Sequence, residues 1–308
     1  MSSTVTIAGI QMSMAAPVRG SHLGNVRKAE ALVRLAARRG ARIICLPELY
    51  RTLYFPQEKS ANKAALAETI PGESTEVFAS LAKELGVSII VPIYERASFV
   101  KRAGAGQSGL KAAAKAGEQH RYFNSAVVFD ERGRRLPTYR KIHIPHDPLF
   151  YEKNYFEPGD SGYRVYKTKA ATFAVLICYD QWFPEAARQA TLQGAEIIFY
   201  PTAIGHVTGY KSADGDWHDA WETIMRGHAI ANGTHVVAVN RTGREGPAGK
   251  GLRFWGQSFA CDSFGKVLKR ASATDDEILI AKLNLAHNQR IRKGWGFLRN
   301  RRPETYKK

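Results

Sequence analysis

Residues 173–200 read FAVLICYDQWFPEAARQATLQGAEIIFY. The apolar run Phe173–Ile177 predicts a strand, Pro184 suits the first turn of a helix, Gly194 ends that helix, and Glu196–Tyr200 predicts a second strand. Strand, helix and strand in so short a span form the repeating unit of an α/β protein. Reading outward, runs rich in β-branched residues recur at Thr4–Gln11, Arg42–Leu46, Val87–Tyr94, Ser125–Phe129, His235–Asn240 and Glu277–Asn284. Helical periodicity separates several of them. Asn25 is placed to cap a helix with Val26, Ala29, Leu32, Val33 and Ala36 on one face, closed by Gly40. A second helix runs from Ser74, buries Val77, Phe78, Leu81 and Leu85 and stops at Gly86, and another covers Trp217–Asn232. The expected class is α/β, with helices on sheet faces. No Pro/Ser-rich linker divides residues 1–308, which read as one domain.

The 308 residues carry 45 Lys+Arg against 28 Asp+Glu, a formal net charge of +17, and are 44% hydrophobic. Such a chain can bury a full core, which excludes intrinsic disorder. The charge would suit a nucleic-acid or membrane-surface binder, so its placement matters. Residues 27–42 hold a net +5, residues 95–121 a net +4 and residues 286–308 a net +7. Those three stretches contain 16 of the 17 excess charges, and the body between them is nearly neutral. The first reads as a solvated helix face bearing Arg34, Arg38 and Arg39. The second includes Ala103–Gly117, a low-complexity stretch that reads as a loop insertion. The third is a basic C-terminal segment. No RRM-type aromatic motif, zinc finger or recognition helix supports a nucleic-acid-binding module on an α/β scaffold, the rival reading from a different class.

Cys45, Cys178 and Cys261 cannot pair completely and lack CxxC spacing, so neither a disulfide framework nor a zinc ribbon is expected. The N-terminal stretch has no secretory pattern, and no apolar run approaches the ~20 residues of a membrane span. A cytoplasmic protein is the default expectation.

Three residues stand where chemistry is favoured. Cys178 sits at a strand-to-helix corner near a helix start, a position expected to expose sulfur and lower its pKa. Cys45 and Cys261 read as small buried hydrophobes. Glu48 closes the apolar strand Arg-Ile-Ile-Cys-Leu-Pro-Glu, where a ligand crevice is expected and desolvation would favour a base. Lys141 lies in the extended stretch Pro-Thr-Tyr-Arg-Lys-Ile-His-Ile-Pro. Together they supply a nucleophile, a proton carrier and an oxyanion partner.

Leu-Pro-Glu at 46–48, Tyr-Arg-Lys-Ile-His-Ile-Pro at 139–145 and Leu-Ile-Cys-Tyr-Asp-Gln-Trp-Phe-Pro-Glu at 176–185 resemble the three signature blocks of the nitrilase superfamily of carbon–nitrogen hydrolases. Residues 185–205, Gly-Asp-Ser-Gly at 159–162 and Arg-Gly-His-Ala-Ile-Ala-Asn at 226–232 resemble its N-carbamoylputrescine-hydrolysing branch. The resemblance implies a four-layer α-β-β-α sandwich, assembled as a homodimer or larger homo-oligomer. It implies Glu48 as general base, Lys141 as oxyanion stabiliser and Cys178 as nucleophile. It also implies Glu152 as a second glutamate beside the site, and a backbone oxyanion contact from Tyr179. No metal or organic cofactor is expected.

The implied substrate is a small carbamoyl amine. Relatives acting on N-carbamoyl amino acids carry paired arginines after the nucleophile to clamp the carboxylate, whereas this chain has Gln181 and Trp182. Tyr54, Asp147, Trp182 and Glu185 are the candidates for binding a cationic tail. A β-ureidopropionase-like or ω-amidase-like hydrolase is the alternative within the superfamily. His143 and His146 read as loop hydrogen-bonding residues.

Overall fold

Each strand expected from the sequence forms in the computed structural model, which describes residues 3–15, 21–60, 62–99 and 119–306. The insertion read at 103–117 lies outside the described residues. In chain order the strands are β1 (Thr4–Gln11), β2 (Ile43–Cys45), β3 (Ser88–Phe99), β4 (Gln119–Phe129), β5 (Tyr139–Arg140), β6 (Val165–Lys167), β7 (Thr172–Val175) and β8 (Ile197–Pro201). They continue with β9 (Gly205–Val207), β10 (His235–Val239), β11 (Arg244–Glu245), β12 (Leu252–Phe254), β13 (Phe259–Cys261), β14 (Val267–Arg270) and β15 (Glu277–Asn284). The helices are α1 (Ser21–Arg38), α2 (Glu73–Leu85), α3 (Pro184–Leu192), α4 (Trp217–Asn232) and α5 (Leu285–Trp295).

Among the described residues, one six-stranded sheet has the order β15-β1-β2-β3-β4-β5 and a second has the order β14-β13-β10-β8-β7-β6. Strand alternation sorts the first sheet's side chains between two layers. Ile7, Ile43, Cys45, Ile90 and Val128 join Phe173, Val175, Ile197 and Phe199 of the second sheet in one core. Their neighbours Ala8, Ile44, Ile89, Val91 and Val127 pack instead with Val26, Ala29 and Val33 of α1 and with Phe78 and Leu81 of α2. Ala186, Ala187 and Ala190 of α3 and Trp221, Met225 and Ala229 of α4 join the second sheet's core. The result is the α-β-β-α sandwich expected for a nitrilase-type chain.

Each sheet has a central parallel trio, β1–β2–β3 and β7–β8–β10, flanked by antiparallel strands. In such sheets ligands lie beyond the carboxyl ends of the strands. The segments leaving those ends carry Glu48 (after β2), Cys178 (after β7), Ala203 (after β8) and Arg241 (after β10).

Two sequence expectations need correction. Asn25 is inside α1, not at its cap, and is 1% exposed. Its Oδ1 accepts from the Ala15 N–H (2.8 Å), and its Nδ2 donates to the Arg51 carbonyl (3.0 Å). The amide that would cap a helix therefore braces two loops, one of them the segment leaving Glu48. The basic C-terminal segment is also not wholly a surface decoration. Arg292 is half-buried and donates to the carbonyls of Asn232, Gly233 and Ala195 (3.2, 2.9 and 2.7 Å), tying α5 to the carboxyl end of α4. This one arginine of the segment serves the fold. By contrast Arg34 pairs with Glu30 and Glu84, while Arg38 and Arg39 are exposed, as a solvated helix face requires.

Candidate active site

Glu48, Lys141 and Glu152 are all fully buried, and they touch. Glu48 leaves β2 through Leu46 and Pro47, and its Oε1 accepts from Asn124 Nδ2 (2.7 Å) and Lys141 Nζ (2.9 Å). Its Oε2 is buried with no hydrogen-bond partner. Lys141 follows the short edge strand β5, where its N–H is held by the Asn124 carbonyl (2.8 Å). Its Nζ also donates to Glu152 Oε2 (2.6 Å), while Glu152 Oε1 accepts from Tyr54 OH (2.6 Å). The lysine backbone is pinned by Gly159, whose N–H donates to the Lys141 carbonyl (2.8 Å). A Cβ at Gly159 would sit 2.1 Å from the Arg140 carbonyl oxygen, so only glycine permits that approach.

Cys178 begins the 3-10 turn Cys178–Trp182 with φ of +43°, an unusual left-handed conformation for a residue bearing a side chain. The turn is over-determined by its third and fourth residues, Asp180 and Gln181. Asp180 is fully buried and accepts from Tyr139 OH (2.7 Å), Ile177 N–H (2.9 Å) and His143 N–H (3.0 Å), with His143 Nδ1 at 2.7 Å. Because Tyr139 and His143 flank Lys141, Asp180 ties the thiol's turn to the lysine's strand. Gln181 Oε1 accepts from Trp221 Nε1 (2.9 Å) and Thr202 Oγ1 (3.2 Å), anchoring the turn to α4 and to the end of β8.

The electrostatics correct one expectation. Burial pushes the Cys178 thiol well up, Glu48 adds to the rise, and Lys141 opposes it. The start of a short 3-10 turn does not outweigh full desolvation beside two carboxylates. Burial also pushes Glu152 up, to about 7, with Lys141 lowering it and Glu48 raising it. For Lys141, burial favours the neutral amine, but Glu152 and Glu48 outweigh it and hold the ammonium above its ordinary pKa. The thiol is thus protonated at rest, beside an ammonium and an unpartnered carboxylate oxygen. Cys45 and Cys261 are buried in β2 and β13, and burial raises both thiols.

Cys178 opens onto a cavity of about 660 Å³. Trp182, Trp217, Trp255 and Tyr210 give it an aromatic wall, and Asp147, Asp214 and Asp216 contribute carboxylates. Among the described residues, no lysine, arginine or histidine lines it. Of the residues expected to bind a substrate tail, Asp147 and Trp182 line this cavity. Tyr54 and Glu185 do not. Tyr54 is buried behind it, its hydroxyl committed to Glu152, and Glu185 is exposed in the first turn of α3. Tyr179 lines the cavity at the second position of the 3-10 turn. His143 stacks on Phe183 at 3.7 Å between ring centroids and bonds Asp180 in the loop role expected, and His146 lies against the Tyr151 ring.

Sequence reasoning missed Asn124, Asp180, Asp214, Asp216, Arg241 and Glu245. Asn124 gives no local signal, since it belongs to the site only through the pairing of β4. Arg241 could have been found: a charge directly after the apolar run His235–Asn240 repeats the pattern that singled out Glu48.

A thiol, an ammonium and two carboxylates converging on one floor form a centre for attack on an amide-type carbonyl. The chain belongs to the carbon–nitrogen hydrolase family, whose model matches residues 6–293. The N-carbamoylputrescine amidase of Solanum lycopersicum is 40% identical over 98% of this chain and 94% of its own length. The citrullinase of Francisella tularensis is 36% identical over 99% of this chain and 97% of its own. The crystal structure of a carbon–nitrogen hydrolase from Helicobacter pylori superposes with a TM-score of 0.84 at 36% identity, covering 98% of this chain and 97% of that one. Among the described residues, no helix is long and apolar enough to cross a membrane.

Proposed function

We propose that this hydrolase cleaves N-carbamoylputrescine with water to putrescine, ammonia and carbon dioxide. One observation carries the substrate choice: in a chain of net charge +17, three aspartates and, among the described residues, no arginine line the cavity over Cys178, and Lys211 lines only the adjoining cavity that shares Tyr210, Asp216 and Trp217 with it. A substrate whose far end is an ammonium gains there, both from the aspartates and from aromatic faces. A substrate with a carboxylate tail meets repulsion and finds no arginine clamp. The resemblance to amidases of this specificity over nearly the whole chain supports the same choice.

In the proposed mechanism Glu48 Oε2, the one carboxylate oxygen of the cluster left without a partner, takes the Cys178 proton as sulfur attacks the ureido carbonyl carbon. The oxyanion is held by Lys141, which has one ammonium proton beyond those given to Glu48 and Glu152, and by the Tyr179 N–H. That amide has no acceptor within its own turn. The departing nitrogen leaves with the proton from Glu48, and water, deprotonated by Glu48, hydrolyses the thioester-type intermediate. Glu152 has both oxygens occupied and so holds the lysine in place.

The reading takes residues 1–308 as one cytoplasmic domain acting as a homodimer or larger homo-oligomer. The assembly is supported by an exposed aromatic cluster, Phe264–Trp295–Phe297, with tilted rings whose centroids are 5.3 and 5.6 Å apart. Light scattering that finds only monomer at micromolar concentration would overturn the assembly. The substrate is tested by side-by-side assays of N-carbamoylputrescine, citrulline, N-carbamoyl-β-alanine and α-ketoglutaramate. Absence of turnover with the first would refute the choice.

A further inference from the structure

Arg241 is a fully buried cation, and its partner Glu245 is nearly so. Arg241 Nη1 donates to Glu245 Oε1 (2.7 Å), while Nη2 donates to two successive carbonyls, those of Glu48 and Leu49 (both 2.8 Å). Both terminal nitrogens also reach the Thr52 carbonyl at 3.4 Å. Glu245 Oε2 accepts from the Tyr54 N–H (2.5 Å). The pair therefore leaves the second sheet after β10 and grips both ends of the segment 48–54 that belongs to the first.

That segment is irregular, and it carries Glu48 at one end and Tyr54, the hydroxyl partner of Glu152, at the other. Leu49 has φ of +50°, a left-handed conformation that a leucine holds only under constraint. A buried ion pair is weak evidence for stability, because desolvation opposes it. Its bonding here is directed at the backbone of Glu48. The planar fork of arginine reaches two adjacent carbonyls and a carboxylate at once, a geometry that an ammonium cannot reproduce.

We propose that Arg241, fixed by Glu245, is a positioning residue for the reaction. By clamping the Glu48 and Leu49 carbonyls it sets the Glu48 carboxylate against the Cys178 thiol. The proposal rests on the reading of Glu48 as the base. It makes proton transfer depend on the alignment of the two sheets, since Arg241 joins the carboxyl end of β10 to that of β2.

The test is alkylation of Cys178 by iodoacetamide, in which the S–C bond forms, iodide leaves and the thiol proton is removed by the base. Rates are followed across pH by peptide mass in the full-length native protein, Arg241→Lys, Glu48→Gln and the double variant. We expect Arg241→Lys to slow alkylation about tenfold and to move the pH profile toward that of an unassisted thiol. In the Glu48→Gln background the same substitution should change the rate less than twofold, because the residue it acts through is already disabled. An equal slowing in both backgrounds, or none in the native one, would overturn the positioning role. If Glu48→Gln alone reacts at the native rate, the reading of Glu48 as base fails instead, so the two failures are distinguishable. Should Arg241→Lys not fold, Glu245→Gln enters the same cycle and should give coupling of the same sense but smaller size. Equal slowing there, or no slowing, would likewise overturn the proposal.

Discussion

The inner cluster and the outer cavity use the same functional group under opposite conditions. Glu152 is fully buried, and burial lifts its pKa to about 7. Asp216, on the cavity wall, is exposed and held below its ordinary pKa by the backbone N–H groups of Asp219 and His218, which it caps at the start of α4. One carboxylate is kept close to neutrality, and the other is kept charged. Full burial beside a second carboxylate imposes the first condition, and recognition of a cation in water needs the second. The boundary between the two environments is Cys178, whose turn buries its own Asp180 and Gln181 on one side and opens to the aromatic wall on the other.

The sharpest way to break that arrangement is at the boundary itself. Cys178→Ala should lower kcat on the order of 10⁵-fold with carbamoylputrescine, near the loss typical of a removed nucleophile. Cooperative melting should persist, because the turn is held by Asp180 and Gln181. A folded variant with native turnover would sink the thiol mechanism. Glu48→Gln should lower kcat about 10²- to 10⁴-fold, the usual worth of a general base. The amide oxygen can still accept from Lys141 and Asn124, so the loss should fall on proton transfer. A variant whose KM rises while kcat stays native would reassign Glu48 to binding.

Glu152→Gln sharpens the contrast through pH. In the fold its carboxyl is raised from 4.5 to about 7 by burial, so the folded chain binds this proton more readily than the unfolded chain does. The group's contribution to stability is then complete below about pH 4.5 and is lost as pH rises through 7. The native protein should melt a few °C higher at pH 5 than at pH 8 on this account, since about 1 kcal/mol moves a domain of this size by ~2 °C. In Glu152→Gln that difference should shrink. Scanning calorimetry at the two pH values measures it, and an unchanged difference would remove Glu152 as its source.

The inner cluster was legible for a physical reason. A charged residue placed directly after an apolar strand has no surface to occupy, so Glu48 stood out from its own segment. Cys178 and Lys141 became distinctive beside it, through motif order. The strands with long β-branched runs were legible too, whereas β9, β11 and β12 are two or three residues long and too short to show alternation. Residues whose role comes from pairing were not readable: Asn124 acts across β4, and Asp180 acts through Tyr139 and His143. Tyr54 reads as a candidate for the substrate tail because an aromatic face suits a cation. The chain turns it inward, where its hydroxyl meets Glu152.

The outer cavity lacked a local signature because two of its three aspartates, Asp214 and Asp216, lie in the segment before α4, far in sequence from the thiol. Its acidity is nonetheless what reconciles a cationic substrate with a chain of net charge +17. If exposed carboxylates recognise the tail, each contributes little: about 0.5–1 kcal/mol, or a 2- to 5-fold rise in KM for Asp214→Asn with kcat unchanged. Exposed charges are also screened by salt. KM of the native enzyme should therefore climb between low and physiological ionic strength, and less steeply in the variant. A neutral carbamoyl alkylamide of equal length should feel neither change. Equal salt dependence for the charged and neutral substrates would mean that the aromatic wall, and not the aspartates, selects the tail.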